Sequence, residues 1–174
     1  MGKSVIIYTE RFELKELALD DVTERYLNWF TDSDAARFIS SASKTSKLAD
    51  LKEYVSERIN REDILFLGIF TRNAGLHIGN IKYEPVDSDL GYAIMGILIG
   101  DPEWRNKGVT AEVLHGSANW LKKHRNIKQV VLGVSRDNPA AVAAYQKAGF
   151  AIENTPYINN TARDIFTMVW HLEK

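Results

Sequence analysis

The clearest periodic pattern in the chain is an amphipathic helix over residues 109–123. At 100° per residue, one face of this segment is mainly apolar and the opposite face is polar. The apolar face holds Val109, Val113, Leu114, Ser117, Trp120 and Leu121, and the polar face holds Glu112, His115, Asn119, Lys122 and Lys123. Basic residues 122–125 suit the negative end of the helix dipole. We therefore expect a long helix that packs on a core by one face.

Two further helices are expected near the N-terminus. Asp20 is a good N-cap for a helix over residues 21–30, and Ser46 is one for a helix over residues 47–60. A short helical piece at 35–39 and a polar loop at 40–46 are expected between them. A last helix follows Asn138, because an N-cap followed by Pro139 is a favoured helix start. Gly149 is expected to end that helix.

Apolar runs between the helices predict strands. Residues 5–9 and 12–17 begin the chain with one or two strands, and the later runs are 64–70, 76–83, 91–99, 129–134, 151–154 and 164–171. The order is strand, two helices, a meander of three strands, helix, strand, helix, strands. This order predicts a mixed α/β fold with a mostly antiparallel sheet.

Composition limits the function classes. The chain has 174 residues, 45% apolar and 26% charged, which suits a single globular domain over residues 1–174. Its net charge of −1 gives no indication that it binds nucleic acid. No apolar run approaches the roughly 20 residues that span a membrane. The chain lacks cysteine, which excludes disulfides, thiolate zinc sites and a cysteine acyl-enzyme. We expect a cytoplasmic protein, a monomer or homodimer, that binds no metal.

Candidate chemistry begins at a basic turn before the long helix. Residues 105–110 (Arg-Asn-Lys-Gly-Val-Thr) follow the apolar strand 97–99 and open the helix. The first backbone N–H groups of a helix lack partners, and the positive end of its dipole attracts anions. Gly108 lets the backbone bend sharply and approach a phosphate closely. This turn is a candidate site for a diphosphate, with Arg105 and Lys107 adding charge.

The segment after the next strand contains a motif that, together with the turn, is typical of a known family. Asn138, Ala141, Tyr145, Lys147, Gly149 and Phe150 match the pattern N-x-x-S/A-x-x-x-Y-x-K-x-G-F. With Arg105 and Gly108 in the turn, the chain resembles the GCN5-related N-acetyltransferases. Thr110 stands where that family usually has Gly or Ala. The opening residues 9–17 resemble the branch of the family that acetylates the N-termini of ribosomal proteins.

The resemblance implies a fold and a cofactor. The fold has a twisted, mostly antiparallel sheet of about six to seven strands between helices. Two of its parallel strands, here the ones that end at Ile99 and start at Gln129, splay apart around pantetheine. The residues that would contact acetyl-CoA are Ile97, Leu98, Ile99, Arg105, Asn106, Lys107, Gly108, Val109, Thr110, Asn138, Tyr145 and Lys147.

The resemblance also implies an acid but leaves the base open. Tyr145 would protonate the departing thiolate, and a phenol is neutral at pH 7 and can donate. Many relatives carry a glutamate on the strand before the turn, where this chain has Ile94 and Met95. Glu84 is the first candidate base, acting directly or through water. Other candidates are Asp101, Glu103 and His77, and an amine that arrives neutral needs no base.

The acceptor pocket is expected between the first helices and the sheet. Its candidate walls are Trp29, Arg37, Phe38, Tyr83 and Tyr157. The resemblance predicts acetyl transfer to a primary amine of a small molecule, with amino sugars or nucleotide-linked amino sugars favoured. Alternatives are a protein N-terminus, an antibiotic or a polyamine as acceptor, and an acyl-CoA-binding sensor without catalysis. Without a cysteine, direct transfer in a ternary complex is expected.

Overall fold

The structure is a computed structural model that describes residues 4–31, 47–159 and 164–173. Its described strands are β1 (Ile6–Tyr8), β2 (Phe12–Glu16), β3 (Leu65–Thr71), β4 (His77–Asp87), β5 (Tyr92–Ile99), β6 (Gln129–Ser135), β7 (Ala151–Ile152) and β8 (Ile165–His171). Its described helices are α1 (Glu24–Asn28), α2 (Leu48–Ser56), α3 (Val109–Arg125) and α4 (Pro139–Ala148). Short 3-10 turns occupy Leu19–Asp21 and Pro102–Trp104.

The strands form one sheet in the order β1-β2-β3-β4-β5-β6-β8-β7. The pair β5–β6 is parallel and the other described pairs are antiparallel. This arrangement confirms the mixed α/β class and the mostly antiparallel sheet. The described sheet has eight strands, slightly more than the resemblance implied. The short strands β1 and β7 add one strand at each edge, where β1 pairs with β2 and β7 pairs with β8.

Helices cover the two faces of the sheet, and each face has its own core. On the face that we call the α3 face, buried residues of α3 such as Leu114 share one core with Ala93 and Met95 of β5. On the opposite α2 face, Leu51 and Val55 of α2 pack with residues of α1 and β3. All of β3 is buried, as expected for a strand covered on both faces.

The expected helices near the N-terminus are shorter in the structure. Thr23, not Asp20, caps α1, because its hydroxyl accepts from the Tyr26 N–H, and the preceding residues form the 3-10 turn. The helix α2 ends at Ser56 rather than at residue 60, and the Asp50 carboxylate accepts from the Lys47 N–H at its start. The expected helical piece 35–39, the loop 40–46 and the Ser46 cap lie outside the described residues.

The two helices that were predicted after the meander are confirmed. α3 starts at Val109 and extends to Arg125. Asn138 caps α4 through a 3.2 Å hydrogen bond from the Ala141 N–H to its Oδ1, and Gly149 ends the helix at φ 123°. None of the helices in the described part of the chain is both long and apolar enough to cross a bilayer.

Candidate active site

The strands β5 and β6 part in the middle of the sheet. They are paired only at Tyr92–Gln129, Ala93–Val130 and Ile94–Val131. Beyond this point β5 pairs with β4 alone as far as Ile99, and β6 pairs with β8. The facing edges of β5 residues 95–99 and β6 residues 132–135 are therefore not hydrogen-bonded to each other. This gap matches the splayed parallel pair implied by the resemblance, and an extended chain can add to such an edge.

The basic turn lies just beyond the carboxyl end of β5. Asn106 and Gly108 both have left-handed backbone, with φ of 59° and 74°. Gly108 is the N-cap residue of α3 and is exposed. A Cβ on Gly108 would have Arg11 Nη2, 3.8 Å away, as its nearest described neighbour. The turn therefore leaves an open surface at Gly108, next to the first N–H groups of α3, as an anion site requires.

The two cations of the turn have different surroundings. The Arg105 guanidinium donates from Nε to the Ile99 carbonyl and from Nη2 to the Gly100 carbonyl, each at 3.1 Å. Arg105 thus ties the turn to the end of β5. Lys107 is exposed, with its Nζ 5.8 Å from the centre of the Trp104 ring. Thr110, in the first turn of α3, is half-buried.

A network that the sequence analysis missed holds the start of α3. The Glu112 carboxylate accepts from the Thr9 hydroxyl, the Arg11 N–H and Arg11 Nε, each at 2.7 Å. Burial alone would raise the pKa of the Glu112 carboxyl, but these three donors hold it below its usual value. The network joins the β1–β2 turn to the helix. Thr9 and Arg11 belong to the opening segment that resembles the family. That resemblance was the one signal in the sequence that pointed to these residues.

Tyr145 is on α4, which packs against α3 and β6. Its ring centre lies 5.8 Å from that of Phe150, and burial raises the pKa of its phenol to about 12. The hydroxyl has no hydrogen-bond partner among the described residues. Lys147 on the same helix is exposed, and the Asn138 side chain is used by its cap. Tyr145 can therefore donate its proton to a group that binds beside it.

Glu84 lies on the α2 face within an ion-paired cluster. Arg58 Nε and Lys82 Nζ both approach its Oε2 at 3.1 Å. Burial alone would raise the pKa of the Glu84 carboxyl, but the hydrogen bonds and charges of Lys82 and Arg58 hold it below its ordinary value. Glu84 Oε1 has no partner among the described residues. At neutral pH this residue is a carboxylate with one oxygen available.

Two of the other candidate bases, Asp101 and His77, are engaged in structural contacts. Asp101 is buried, pairs with Arg25 at 2.6 Å, and accepts from the Glu103 N–H. His77 is buried against aromatic rings and bonds Asn80 Oδ1 at 2.7 Å, and burial lowers the pKa of its imidazole. Asp101 and His77 therefore serve to stabilise the fold. The third candidate, Glu103, is exposed.

The expected acceptor walls are not all on one open surface. Tyr83 is fully buried on the α3 face, where its hydroxyl lies 2.7 Å from that of Ser117. Its ring belongs to the core, and we leave it out of the acceptor wall. Trp29 is also buried and covers Gly100 on the α2 face. Tyr157 stacks on Tyr92, with ring centres 3.8 Å apart. Arg37 and Phe38 lie outside the described residues.

Gly96 of β5 is a feature that the sequence analysis did not single out. It lies two residues beyond the last β5–β6 pair and is exposed. A Cβ built on it would meet nothing within 4 Å among the described residues. A glycine inside a strand was the available signal, since it often marks close approach of another molecule. Among the described residues, no cluster of three or more His, Cys, Asp or Glu could hold a metal.

Known proteins resemble this chain both in sequence family and in fold. A family model described as "Acetyltransferase (GNAT) domain" matches residues 11–151. The fold is similar to the ribosomal L7/L12 α-N-protein acetyltransferase in complex with coenzyme A. That match has TM-score 0.82 and 16% identity, and covers 96% of this chain and 98% of the other.

Two further solved structures share the fold. One is spermidine N-acetyltransferase from Vibrio cholerae with CoA and spermine, at TM-score 0.78 and 19% identity, covering 94% of this chain and 97% of the other. The second is the microcin C7 self-immunity acetyltransferase with acetyl-CoA and AMP. It has TM-score 0.79 and 16% identity, and the match covers 94% of this chain and 93% of the other. At these identities the similarity concerns the fold alone.

Proposed function

This chain belongs to the GNAT acetyltransferase family and is an acyltransferase, and from that premise we propose that it acetylates the primary amine of a small molecule. The donor is acetyl-CoA, and transfer is direct, within a ternary complex. Amino sugars and nucleotide-linked amino sugars are the favoured acceptors. The microcin C7 self-immunity acetyltransferase, which has a similar fold, binds both acetyl-CoA and AMP, and this supports a nucleotide-bearing acceptor.

The observation that carries this proposal is the gap between β5 and β6. The gap opens after Ile94 and Val131, towards the carboxyl end of β5, which is also the end where the turn before α3 lies. An extended pantetheine arm fits along the unpaired edge of β5 residues 95–99, where the N–H and C=O groups of Ile97 to Ile99 are the proposed partners. The Ile99 carbonyl already accepts from Arg105, and Leu98 pairs with Asn80 of β4, so Ile97 carries more of this role.

The turn before α3 is the proposed seat of the diphosphate. Gly108 offers an open surface and left-handed backbone, and a side chain there would project into the space that the phosphates need. The N–H groups of residues 109–111 are the proposed donors, since the first N–H groups of a helix lack partners inside the helix. Lys107 adds charge from the exposed side, and Arg105 keeps the turn in place.

Tyr145 is the proposed general acid. When bound, acetyl-CoA supplies a thioester whose thiolate leaves as the amine attacks. The Tyr145 phenol is protonated across the neutral range because burial raises its pKa to about 12. A positioned acid of this kind typically contributes 10²–10⁴-fold to the rate. Its hydroxyl therefore keeps its proton at neutral pH and is available to donate a hydrogen bond to the departing sulfur.

Glu84 is the proposed proton acceptor for the incoming ammonium. Its Oε2 is held by Lys82 and Arg58, and Oε1 is left for the amine or for a bridging water. Because the two cations lower the pKa of this carboxyl, it is a weak base by itself. Glu84 therefore attracts the ammonium group by its charge, and a water bound to Oε1 takes the ammonium proton.

The test is thiol release from acetyl-CoA with a panel of amines. We expect release that depends on an amine, with amino sugars above simple alkylamines. A protein that binds acetyl-CoA and releases no thiol with any amine on the panel would be a sensor, and the transferase proposal would be rejected. Calorimetry with acetyl-CoA provides the binding half of this comparison.

A further inference from the structure

Three residues form a row across the sheet on the α2 face. The register pairs Phe66 of β3 with Lys82 of β4, and Lys82 with Gly96 of β5. Directly paired residues of antiparallel strands point to the same face, so Lys82 is the side chain beside the open space above Gly96. This space borders the point where β5 and β6 part. A cleft lined in part by Leu17, Arg58 and Phe66 begins at the other end of the row.

The polar side chains beside this row are bonded to one another. Lys82 Nζ donates to the Tyr54 hydroxyl at 2.7 Å and contacts Glu84 Oε2. The Arg58 guanidinium lies 3.8 Å from the centre of the Tyr54 ring and donates from Nε to Glu84. The Lys82 and Arg58 side chains are only 26% and 20% exposed. The cluster is therefore fixed before a ligand arrives, which lowers the entropic cost of binding.

This cluster has more cationic donors than carboxylates. Lys82 and Arg58 contribute two positive charges and Glu84 one negative charge, which leaves +1. Glu57 also approaches Arg58, at 3.4 Å, but it is 63% exposed and therefore well screened. Within the described residues, one N–H of Lys82 Nζ and both N–H groups of Arg58 Nη2 have no acceptor.

A further unsatisfied donor lies in the next row of the same face. Asn80 precedes Lys82 by two residues on β4 and is 3% exposed. Its Oδ1 is bonded to His77, whereas its Nδ2 has no hydrogen-bond partner in the described structure. A buried donor without a partner destabilises the free protein, and an acceptor on a ligand would satisfy it. The α2 face therefore offers several donors to a ligand and one carboxylate oxygen.

We propose that the acceptor amine carries an anionic oxygen group, a phosphate or a carboxylate, which Lys82 and Arg58 bind beside Gly96. This inference rests on the proposed function and narrows its substrate class. Glu84 Oε1 takes the ammonium end of the same molecule, and the two cations take its anionic end. A polyamine fits poorly, because it brings further positive charges and no acceptor for the donors on this face. The chain would then differ in substrate from its spermidine-acetylating relatives.

The experiment uses matched pairs of amines that differ in the anionic group. The pairs are glucosamine 6-phosphate with glucosamine, and β-alanine with β-alaninamide, and spermidine is added for comparison. We expect the phosphate or carboxylate member to have roughly 10- to 100-fold higher kcat/KM, the range of a charge-assisted hydrogen bond. The pair that shows the larger ratio tells which anionic group the site prefers.

Variants then locate the effect. Lys82→Gln and Arg58→Gln should each reduce the ratio towards one, whereas Lys52→Gln, an exposed residue of α2, changes the net charge equally and should leave it unchanged. A ratio near one in the wild type, a preference for spermidine, or a ratio that Lys82→Gln and Arg58→Gln both leave intact would overturn the inference.

A binding arm separates this inference from the proposed function. Calorimetry on the CoA-bound protein measures glucosamine 6-phosphate against glucosamine without requiring turnover. If no amine is acetylated but the phosphate form binds more tightly, and Lys82→Gln abolishes the difference, the transferase proposal fails and the anion site stands. If neither binding nor turnover distinguishes the members of either pair, the anion site is rejected.

Discussion

The two faces of the sheet are built in different ways. On the α3 face, the candidate cofactor site consists of backbone groups: the unpaired edge of β5 and the first turn of α3 behind Gly108. On the α2 face, the candidate acceptor site consists of side chains from distant segments, such as Arg58, Lys82 and Glu84. Backbone donors keep their positions when side chains change. We infer that cofactor binding tolerates most substitutions, whereas acceptor choice changes with single residues.

The largest effect is expected from blocking the backbone site. In Gly108→Trp the indole should occupy the open surface in front of the first α3 N–H groups and weaken acetyl-CoA binding by roughly a hundredfold or more. Calorimetric titration with acetyl-CoA measures this change, and circular dichroism shows whether the fold is retained.

Gly75→Trp is the matched control for that change. Gly75 also has left-handed backbone, at φ 64°, and a Cβ there would meet nothing within 4 Å among the described residues. It lies in the β3–β4 turn, so both variants carry similar backbone strain, about 1–2 kcal/mol. Equal loss of binding in the two variants would show that strain, and not occupation of the turn, is responsible.

The next largest effect is expected at Tyr145, a single side chain on α4. Tyr145→Phe removes the proposed acid, and we expect kcat to fall by roughly a hundredfold with little change in the KM for acetyl-CoA. Because burial raises the pKa of Tyr145 to about 12, wild-type activity should not decline as the pH rises from about 8 to about 10. Steady-state kinetics across this range measure both quantities.

Tyr83→Phe is the control for Tyr145→Phe. The Ser117 hydroxyl donates to the Val113 carbonyl at 2.7 Å, so Tyr83 is the donor in its own bond to Ser117. Loss of that bond should lower the free energy of unfolding by about 1 kcal/mol and leave kcat unchanged. A similar fall in kcat for both tyrosines would argue that Tyr145 acts only through packing.

A smaller effect is expected at the network that holds α3. Glu112→Gln removes the charge that accepts from Thr9 and Arg11, and should destabilise the fold at pH 7 by about 1–2 kcal/mol, given the partly exposed Arg11. The native pKa of Glu112 is lowered, so this stabilisation is complete above the unfolded pKa of about 4.3. It is lost as the pH falls through the native pKa.

Urea unfolding at pH 7 and at about pH 3 checks the direction of this effect. The difference between wild type and Glu112→Gln should shrink at the lower pH, because the wild-type carboxyl is then protonated. A difference that grows on acidification would mean that the native pKa of Glu112 is raised rather than lowered.

The sequence predicted the α3 face well because its signals are local. Gly108, Asn138 and Gly149 act on the helix ends next to them, and each lies where the turn and cap patterns placed it. The turn and the helix also follow each other directly along the chain. Such features depend on a few neighbouring residues and need no knowledge of the sheet.

The α2 face was predicted poorly because it depends on register. Lys82 and Tyr83 are neighbours in β4, yet Lys82 bonds Tyr54 on one face and Tyr83 bonds Ser117 on the other. A shift of one residue reverses which side chains face a helix, and a single sequence does not determine that shift. On this face the contact of Arg58 with Glu84 joins residues 26 positions apart. The contact of Arg11 with Glu112 at the start of α3, which the sequence also did not predict, joins residues 101 positions apart. No local pattern indicates such pairs.

Hydrogen–deuterium exchange with and without coenzyme A tests the central claim most directly, because it reports on the backbone amides that are proposed to bind. We predict that CoA protects the amides of β5 residues 95–99 and of residues 105–111, and that Gly75→Trp shows the same protection while Gly108→Trp loses it. Protection by CoA that is absent from both segments in the wild type, or confined to the α2 face, would contradict the account.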